Sequence, residues 1–287
     1  MNLEVLEYRP ERASENPPLL FVHGGSHGAW CWKEHFLPYF AAKGFHSYAL
    51  SFRGHGQSEG REKLETFSLL DYSDDLLQVM QQINSKPVLI GHSLGGSIVQ
   101  RVWSLHPDSM RAVVLLSSTP PRGMLKEWAK IVSIHFRLIY KMYMYNRGKS
   151  TNRGEKIIER LLFPLSTPVE ESTIFPSIVA DRLFFPPNLS AESKQEYLRL
   201  LQPESLVAAE GMLRQALDVN SMNTNIPILV LGSRKDAFLS EKIAFMIARD
   251  YKTRATIFSD ICHDMMLDPK WKTVADVIVD FLQEYVP

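Results

Sequence analysis

The segment Gly91-His92-Ser93-Leu94-Gly95-Gly96 sets a serine between flanking glycines in the pattern G-x-S-x-G. Alone, the pattern is a glycine-rich turn of a common kind. Its surroundings narrow it. An apolar run over residues 87–90 reads as a buried strand, and a helical pattern continues from the turn to Leu105. A sharp turn between strand and helix holds its serine in a strained conformation and pushes Oγ into the open. Gly91 and Gly95 leave room for strand and helix to approach each other. The helix begins at the serine, so its free N–H groups and positive dipole end favour an anion forming there. That is equipment for attack on a carbonyl carbon, with Ser93 as nucleophile.

A second signal lies at the end of an earlier apolar run, in Phe21-Val22-His23-Gly24-Gly25. Glycines there let a backbone N–H turn toward the serine. The N–H groups of Gly25 and Leu94 would then form a two-donor oxyanion hole. The competing reading is an ordinary glycine-rich turn. His23 reads as a structural histidine of that turn. His27 reads as a solvent-facing loop histidine, with a place in the pocket as the alternative.

The third signal is chain order. On an elbow of this type the acid and then the base follow the serine. The apolar run 228–231 leads into Gly232-Ser233-Arg234-Lys235-Asp236, which places Asp236 just past the carboxyl end of a strand. A run at 255–258 leads to Cys262-His263-Asp264, and no histidine lies between His135 and His263. His263 is therefore the candidate base and Asp236 its orienting acid. Asp264 and Asp268 compete for the acid role, but a separate strand end is better placed to reach the far ring nitrogen. Arg234 and Lys235 would help keep Asp236 ionised if they point inward.

The elements that must position these residues alternate between strand and helix. Strands are expected at 19–22, 45–52, 87–90, 111–116, 228–231 and 255–258. Helices are expected at 29–42, from a capping box at Ser68 and Asp71, at 94–105, 241–251 and 270–285. This predicts an α/β fold, a mostly parallel sheet with helices on both faces. The alternation stops near Pro120. Residues 1–119 and 226–287 read as one core, because neither flank has strands enough alone, and 120–225 as an inserted helical piece. Trp128, Phe136 and Tyr143 belong to an apolar stretch of that insertion. They pack on the core or line an acyl pocket. Arg147, Lys149 and Arg153 form a basic loop, solvated or facing an anionic head group or a membrane surface.

Outside the insertion the sequence resembles the α/β-hydrolase superfamily along nearly its whole length. His23-Gly24-Gly25-Ser26-His27-Gly28-Ala29-Trp30 resembles the oxyanion loop of small esterases and related lyases of that family. Arg53-Gly54-His55-Gly56-Gln57-Ser58 resembles a loop found in its monoacylglycerol lipase and lysophospholipase-like branch. The resemblance implies a Ser93–Asp236–His263 triad, the two donors Gly25 and Leu94, a helical lid at 120–225 and no cofactor. It implies a serine hydrolase acting on a small-molecule ester with a hydrophobic acyl group, such as a monoacylglycerol or lysophospholipid. The same triad would serve a thioesterase, a lactonase or a C–C bond hydrolase. A receptor-like ligand binder with little turnover is an alternative of another class. Family branches that open epoxides or remove halide place Asp where Ser93 stands.

Composition bounds these readings. With 32 Lys and Arg against 32 Asp and Glu, the chain lacks the basic excess of a nucleic-acid binder. The opening residues do not read as a signal peptide, and no apolar stretch has the length of a membrane span, so a cytoplasmic protein is expected. Cys31 and Cys262 form no disulfide framework, and the histidines have no metal-ligand spacing, so no metal is expected.

Overall fold

The computed structural model describes residues 1–131, 133, 140, 177–220, 222 and 225–286. Seven strands among them form one sheet: β1 (Val5–Tyr8), β2 (Leu19–Val22), β3 (Ser47–Leu50), β4 (Val88–His92), β5 (Ala112–Leu116), β6 (Ile228–Ser233) and β7 (Ala255–Phe258). Their spatial order is β1-β3-β2-β4-β5-β6-β7. Only β1, on β3, pairs antiparallel; every other neighbouring pair is parallel.

The central strands explain their own sequences. Every residue of β2, β4 and β5 is buried. Strands covered on both faces read as continuous apolar runs rather than as alternation. The edge strand β1 escapes the sequence reading because it is only half-buried and the exposed Glu7 breaks its apolar run.

The helices follow the expected positions with one break. The continuous helix expected at 29–42 is two pieces, α1 (Trp30–Lys33) and α2 (Phe36–Ala42). Pro38 is the cause: it cannot donate to the carbonyl four residues back, and its ring is tolerated only in a first turn, where α2 places it. Helix α3 (Leu69–Gln82) starts on the expected capping box, with Asp71 accepting from Ser68 N at 2.8 Å. Helix α4 (Leu94–Leu105) follows β4 directly. Between β5 and β6 lie α5 (Ser177–Leu183), α6 (Ala191–Leu200) and α7 (Leu206–Arg214). Helices α8 (Glu241–Asp250) and α9 (Trp271–Tyr285) complete the chain. No helix among the described residues is long and apolar enough to cross a membrane.

Two features of this topology locate a site. The parallel strands bring the carboxyl ends of β2, β4, β5, β6 and β7 to one edge. The connections from β2 and from β4 also run in opposite directions, to β3 on one side and β5 on the other. A crevice opens where the winding reverses, and ligands of open parallel sheets bind there. The loops carrying Gly25 and Ser93 flank that point.

Candidate active site

Ser93 sits between β4 and α4 with φ 50° and ψ −119°. For a residue with a Cβ this conformation costs about 1–3 kcal/mol and persists only where its surroundings hold it. Ser93 N donates to Leu116 O of β5 at 3.0 Å, and Gly96 N donates to Ser93 O at 3.0 Å. The flanking glycines are steric necessities. A Cβ on Gly91 would lie 2.7 Å from Gly96 Cα, and one on Gly95 would lie 2.4 Å from the His23 carbonyl oxygen. The serine is 5 % exposed, below the surface rather than standing in solvent.

The loop after β2 runs against this turn. A Cβ on Gly24 would lie 3.1 Å from Ser93 Cβ. The Gly24 carbonyl accepts from His23 Nδ1 at 2.8 Å and from His27 N at 3.4 Å. In a trans peptide the N–H points opposite the carbonyl, so the Gly25 N–H faces the other way. Among the described residues, no protein acceptor takes the N–H of Gly25 or of Leu94. His23 is structural, as expected: its Nε2 accepts from Phe52 N at 3.1 Å. Burial, then His55, holds its pKa well below the ordinary value.

His263 lies beyond the end of β7. Its Nδ1 donates to Asp236 Oδ2 at 2.8 Å, and Asp236 Oδ1 accepts from Phe238 N at 2.8 Å and Leu239 N at 2.7 Å. Both carboxylate oxygens are therefore engaged, Oδ2 on the ring and Oδ1 on the backbone. Burial opposes charge on His263, but the facing Asp236 outweighs it and raises the pKa above the usual 6.5. His92 joins the His263 loop to the turn at Ser93 by donating Nε2–H to His263 O at 3.0 Å. Burial, then the neighbouring His263, holds the His92 pKa down to about 3, so that ring stays neutral. His92, His263 and Asp264 each bring a ligand-type atom within 4.8 Å of the others. The Nε2–H of His92 and the Nδ1–H of His263 are already committed to oxygen acceptors. Among the described residues, Ser93 Oγ and His263 Nε2 make no hydrogen bond; in ligand-free sites such contacts often tighten only with substrate.

The competing aspartates are engaged elsewhere. Asp264 Oδ2 accepts from His27 Nε2 at 3.0 Å, and Asp268 accepts from Cys262 N at 2.9 Å and Lys270 N at 2.8 Å. Arg234 and Lys235 are exposed, and Arg234 pairs with Glu241 instead. The backbone N–H groups of Phe238 and Leu239 face the carboxylate in their place.

His27 differs from its expectation as a solvent-facing residue. It is buried, its ring stacks on Trp30 at 5.3 Å, and Asp264 receives its Nε2–H. Two more groups were given no role from the sequence, although His55 lies in the quoted 53–58 loop. Glu204, between α6 and α7, is buried against the loop after β2, where its Oε2 accepts from Ser26 N at 3.2 Å. His55 donates to the same oxygen at 3.2 Å. Nothing local in a sequence joins residues so far apart.

An aromatic wall stands over His263. Phe238 and Phe184 lie 5.2 and 5.9 Å from the His263 ring, and Trp128 lies 5.6 Å from Phe238. Phe136 and Tyr143 lie outside the described residues, as do Arg147, Lys149 and Arg153.

Known proteins carry the same frame. Salicylic acid-binding protein 2 of Nicotiana tabacum is 26% identical over 202 residues, 70% of this chain and 67% of that protein. Methylesterase 9 of Arabidopsis thaliana is 33% identical over 165 residues, 53% of this chain and 62% of that protein. The chain thus spans about two thirds or less of the curated relatives it matches. In three dimensions it resembles the methylesterase MES16 from Arabidopsis, with TM-score 0.67, 18% identity and coverage of 93% of this chain and 99% of that one. It also resembles the monoacylglycerol lipase of Paleococcus ferrophilus, with TM-score 0.63, 20% identity and 98% of both chains covered. The model of the alpha/beta hydrolase fold family matches residues 17–268. With that match spanning most of its length, the chain belongs to the α/β-hydrolase family.

Proposed function

We propose that this protein hydrolyses carboxylic esters with a hydrophobic acyl group, through an acyl-enzyme on Ser93. The observation that carries the reading is His263: Asp236 pins its Nδ1 at 2.8 Å, and its Nε2 is left uncommitted among the described residues, in a loop bonded to the elbow. Ser93 Oγ attacks the ester carbonyl as its proton passes to His263 Nε2. The tetrahedral oxyanion is held by the N–H groups of Gly25 and Leu94. As the carbon–oxygen bond to the alcohol breaks, Nε2 returns the proton to the leaving oxygen. Water then attacks the acyl-enzyme, again giving its proton to His263, and the acid departs as Ser93 recovers its hydrogen. Asp236 keeps the ring in the tautomer that accepts at Nε2 and stabilises the imidazolium between the two transfers.

The wall of Phe184, Phe238 and Trp128 favours an apolar acyl or aromatic group beside the base. In this reading residues 120–225 are a helical lid over the core formed by 1–119 and 226–287, and Trp128, Phe136 and Tyr143 contact substrate. The methylesterase names among the relatives favour small esters; a monoacylglycerol or lysophospholipid would need a longer groove under the lid. A second reading is ligand binding with slow turnover. The tobacco relative's name says that it binds salicylic acid, and an aromatic wall suits a planar apolar ligand.

A panel of p-nitrophenyl and methyl esters of increasing acyl length, with thioesters and lactones beside them, separates these readings. Ester turnover and fluorophosphonate labelling are expected in the native protein, with both abolished in folded Ser93→Ala. Labelling that survives in the variant removes Ser93 from the mechanism. Micromolar binding of an aromatic acid without turnover of any ester favours the second reading.

A further inference from the structure

We propose that two buried histidine–carboxylate pairs, His27–Asp264 and His55–Glu204, clamp the Gly25–Ser26 peptide at its two ends, and that Glu204 is a positioning residue for the Gly25 oxyanion donor. The proposal rests on the hydrolase reading above and adds a residue to it. The two grips fall on one peptide unit. Its carbonyl, Gly25 O, accepts from His27 Nδ1 at 2.7 Å. Its N–H, on Ser26, donates to Glu204 Oε2 at 3.2 Å.

Each histidine meets an oxygen on both of its ring nitrogens. His27 meets Asp264 with its second nitrogen at 3.0 Å. His55 meets Glu204 with one nitrogen and Arg53 O with the other, both at 3.2 Å. Burial opposes charge on both carboxyls, but the facing histidines and further donors outweigh it and lower both pKa values. A positively polarised donor therefore faces the carbonyl end of the peptide dipole, and a carboxylate faces its N–H end.

The clamp answers a local need. Gly25 has no Cβ to restrict it, and Ser26 sits at φ 67°, a region that a side chain resists. Left to itself this stretch would turn, and rotation about Gly25 would swing its N–H off the reacting oxygen. An oxyanion donor works by being aimed before charge appears. Glu204 meets the requirement chemically. Oε2 receives Ser26 N and His55, while Oε1 receives Tyr72 OH at 2.8 Å and Ser205 N at 2.7 Å. With donors on every side, only an acceptor-only group satisfies them; the N–H₂ of an amide would face a donor. Gln202 N adds a bond to Ser26 O at 3.0 Å. Gln202 and Glu204 both come from the chain between β5 and β6, so docking of that segment completes the donor.

The test uses the full chain, p-nitrophenyl butyrate as substrate and a phenylboronic acid as tetrahedral mimic on Ser93. Losing one oxyanion donor costs about 10²- to 10³-fold in kcat, and a loosened donor costs less. Glu204→Gln is expected to lower kcat about 10- to 100-fold on that scale and weaken the boronate by a similar factor, with KM within about threefold. A lower Tm with kcat and boronate affinity unchanged makes Glu204 merely structural and overturns the proposal. If Glu204→Gln does not fold, the other end decides. His27→Phe keeps the ring but loses the donor to Gly25 O, whereas His27→Asn restores an N–H near the Nδ1 position. Greater activity in the Asn variant than in the Phe variant supports the clamp; equal activity overturns it. Native protein that neither turns over the ester nor binds the boronate overturns the hydrolase reading itself, an outcome distinct from an active enzyme indifferent to both substitutions.

Discussion

Two histidine–carboxylate pairs lie side by side at the carboxyl edge of the sheet, and they are not equivalent. His263–Asp236 and His27–Asp264 are both buried, with nitrogen–oxygen distances of 2.8 and 3.0 Å. Asp264 even follows His263 in the chain. The difference lies on the other ring nitrogen. His27 spends Nδ1 on Gly25 O and Nε2 on Asp264, so both its ring nitrogens are engaged. His263 spends only Nδ1. The carboxylates differ too: both oxygens of Asp236 accept hydrogen bonds, whereas Asp264 Oδ1 accepts none among the described residues and has only His92 Nε2 at 3.8 Å. A carboxylate beside a histidine does not make a base. A base needs its second nitrogen uncommitted, and of these two pairs the one built on the ends of β6 and β7 leaves it so among the described residues, as the proposed reaction requires.

The largest expected effect separates the pairs directly. Asp236→Asn leaves the fold standing but favours the wrong tautomer of His263. In a serine protease with this arrangement the same change lowers kcat about 10⁴-fold, and a loss of about 10³-fold or more is expected here. Asp264→Asn is expected to lose about tenfold or less in kcat and to lower Tm instead, because disrupting a buried pair costs stability. Steady-state kinetics and thermal unfolding on both variants check this; near-normal kcat in folded Asp236→Asn with collapse in Asp264→Asn would exchange the two roles.

A second effect is read in pH. In the proposed reaction His263 must be neutral to take the proton; burial opposes charge on it, but Asp236 outweighs burial and raises its pKa above the ordinary 6.5. kcat/KM is therefore expected to rise with pH through a midpoint above 6.5, the ordinary histidine value. In Asp236→Asn the residual activity should show that midpoint moved down, since the larger of the two carboxylate influences opposing burial is lost and only that of Asp264 remains. In Asp264→Asn the midpoint should move much less. An acid limb that shifts further in Asp264→Asn breaks the distinction between the pairs.

The smallest effect concerns the wall over His263. Trp128 touches Phe238, which touches the base. Trp128→Ala is expected to change the ratio of kcat/KM for short against long acyl esters by about 5- to 20-fold. One methylene in an apolar pocket is worth about 1–3 kcal/mol, so the change is graded rather than absolute. The pH midpoint should not move. An unchanged ratio assigns Trp128 to packing alone.

Much of this arrangement was legible in the residues themselves. The glycines at 91 and 95, the apolar runs of β2, β4, β5 and β6, and the Ser68–Asp71 cap are local requirements. A close backbone approach excludes a Cβ, a strand covered on both faces must be apolar, and a helix start needs its N–H groups met. Such requirements are written where they act, which is why Ser93, Asp236 and His263 could be placed at strand ends in chain order. The continuous helix at 29–42 misled because its apolar spacing outweighed the signal of Pro38. What only the tertiary structure decided is the partnering of loops: His27 with Asp264, and Glu204 with Ser26 and His55. Those contacts depend on which strand ends the sheet order makes neighbours. Hydrogen-bonding groups in loops carry no periodicity to record it, so partners more than 140 residues apart leave no mark in either segment.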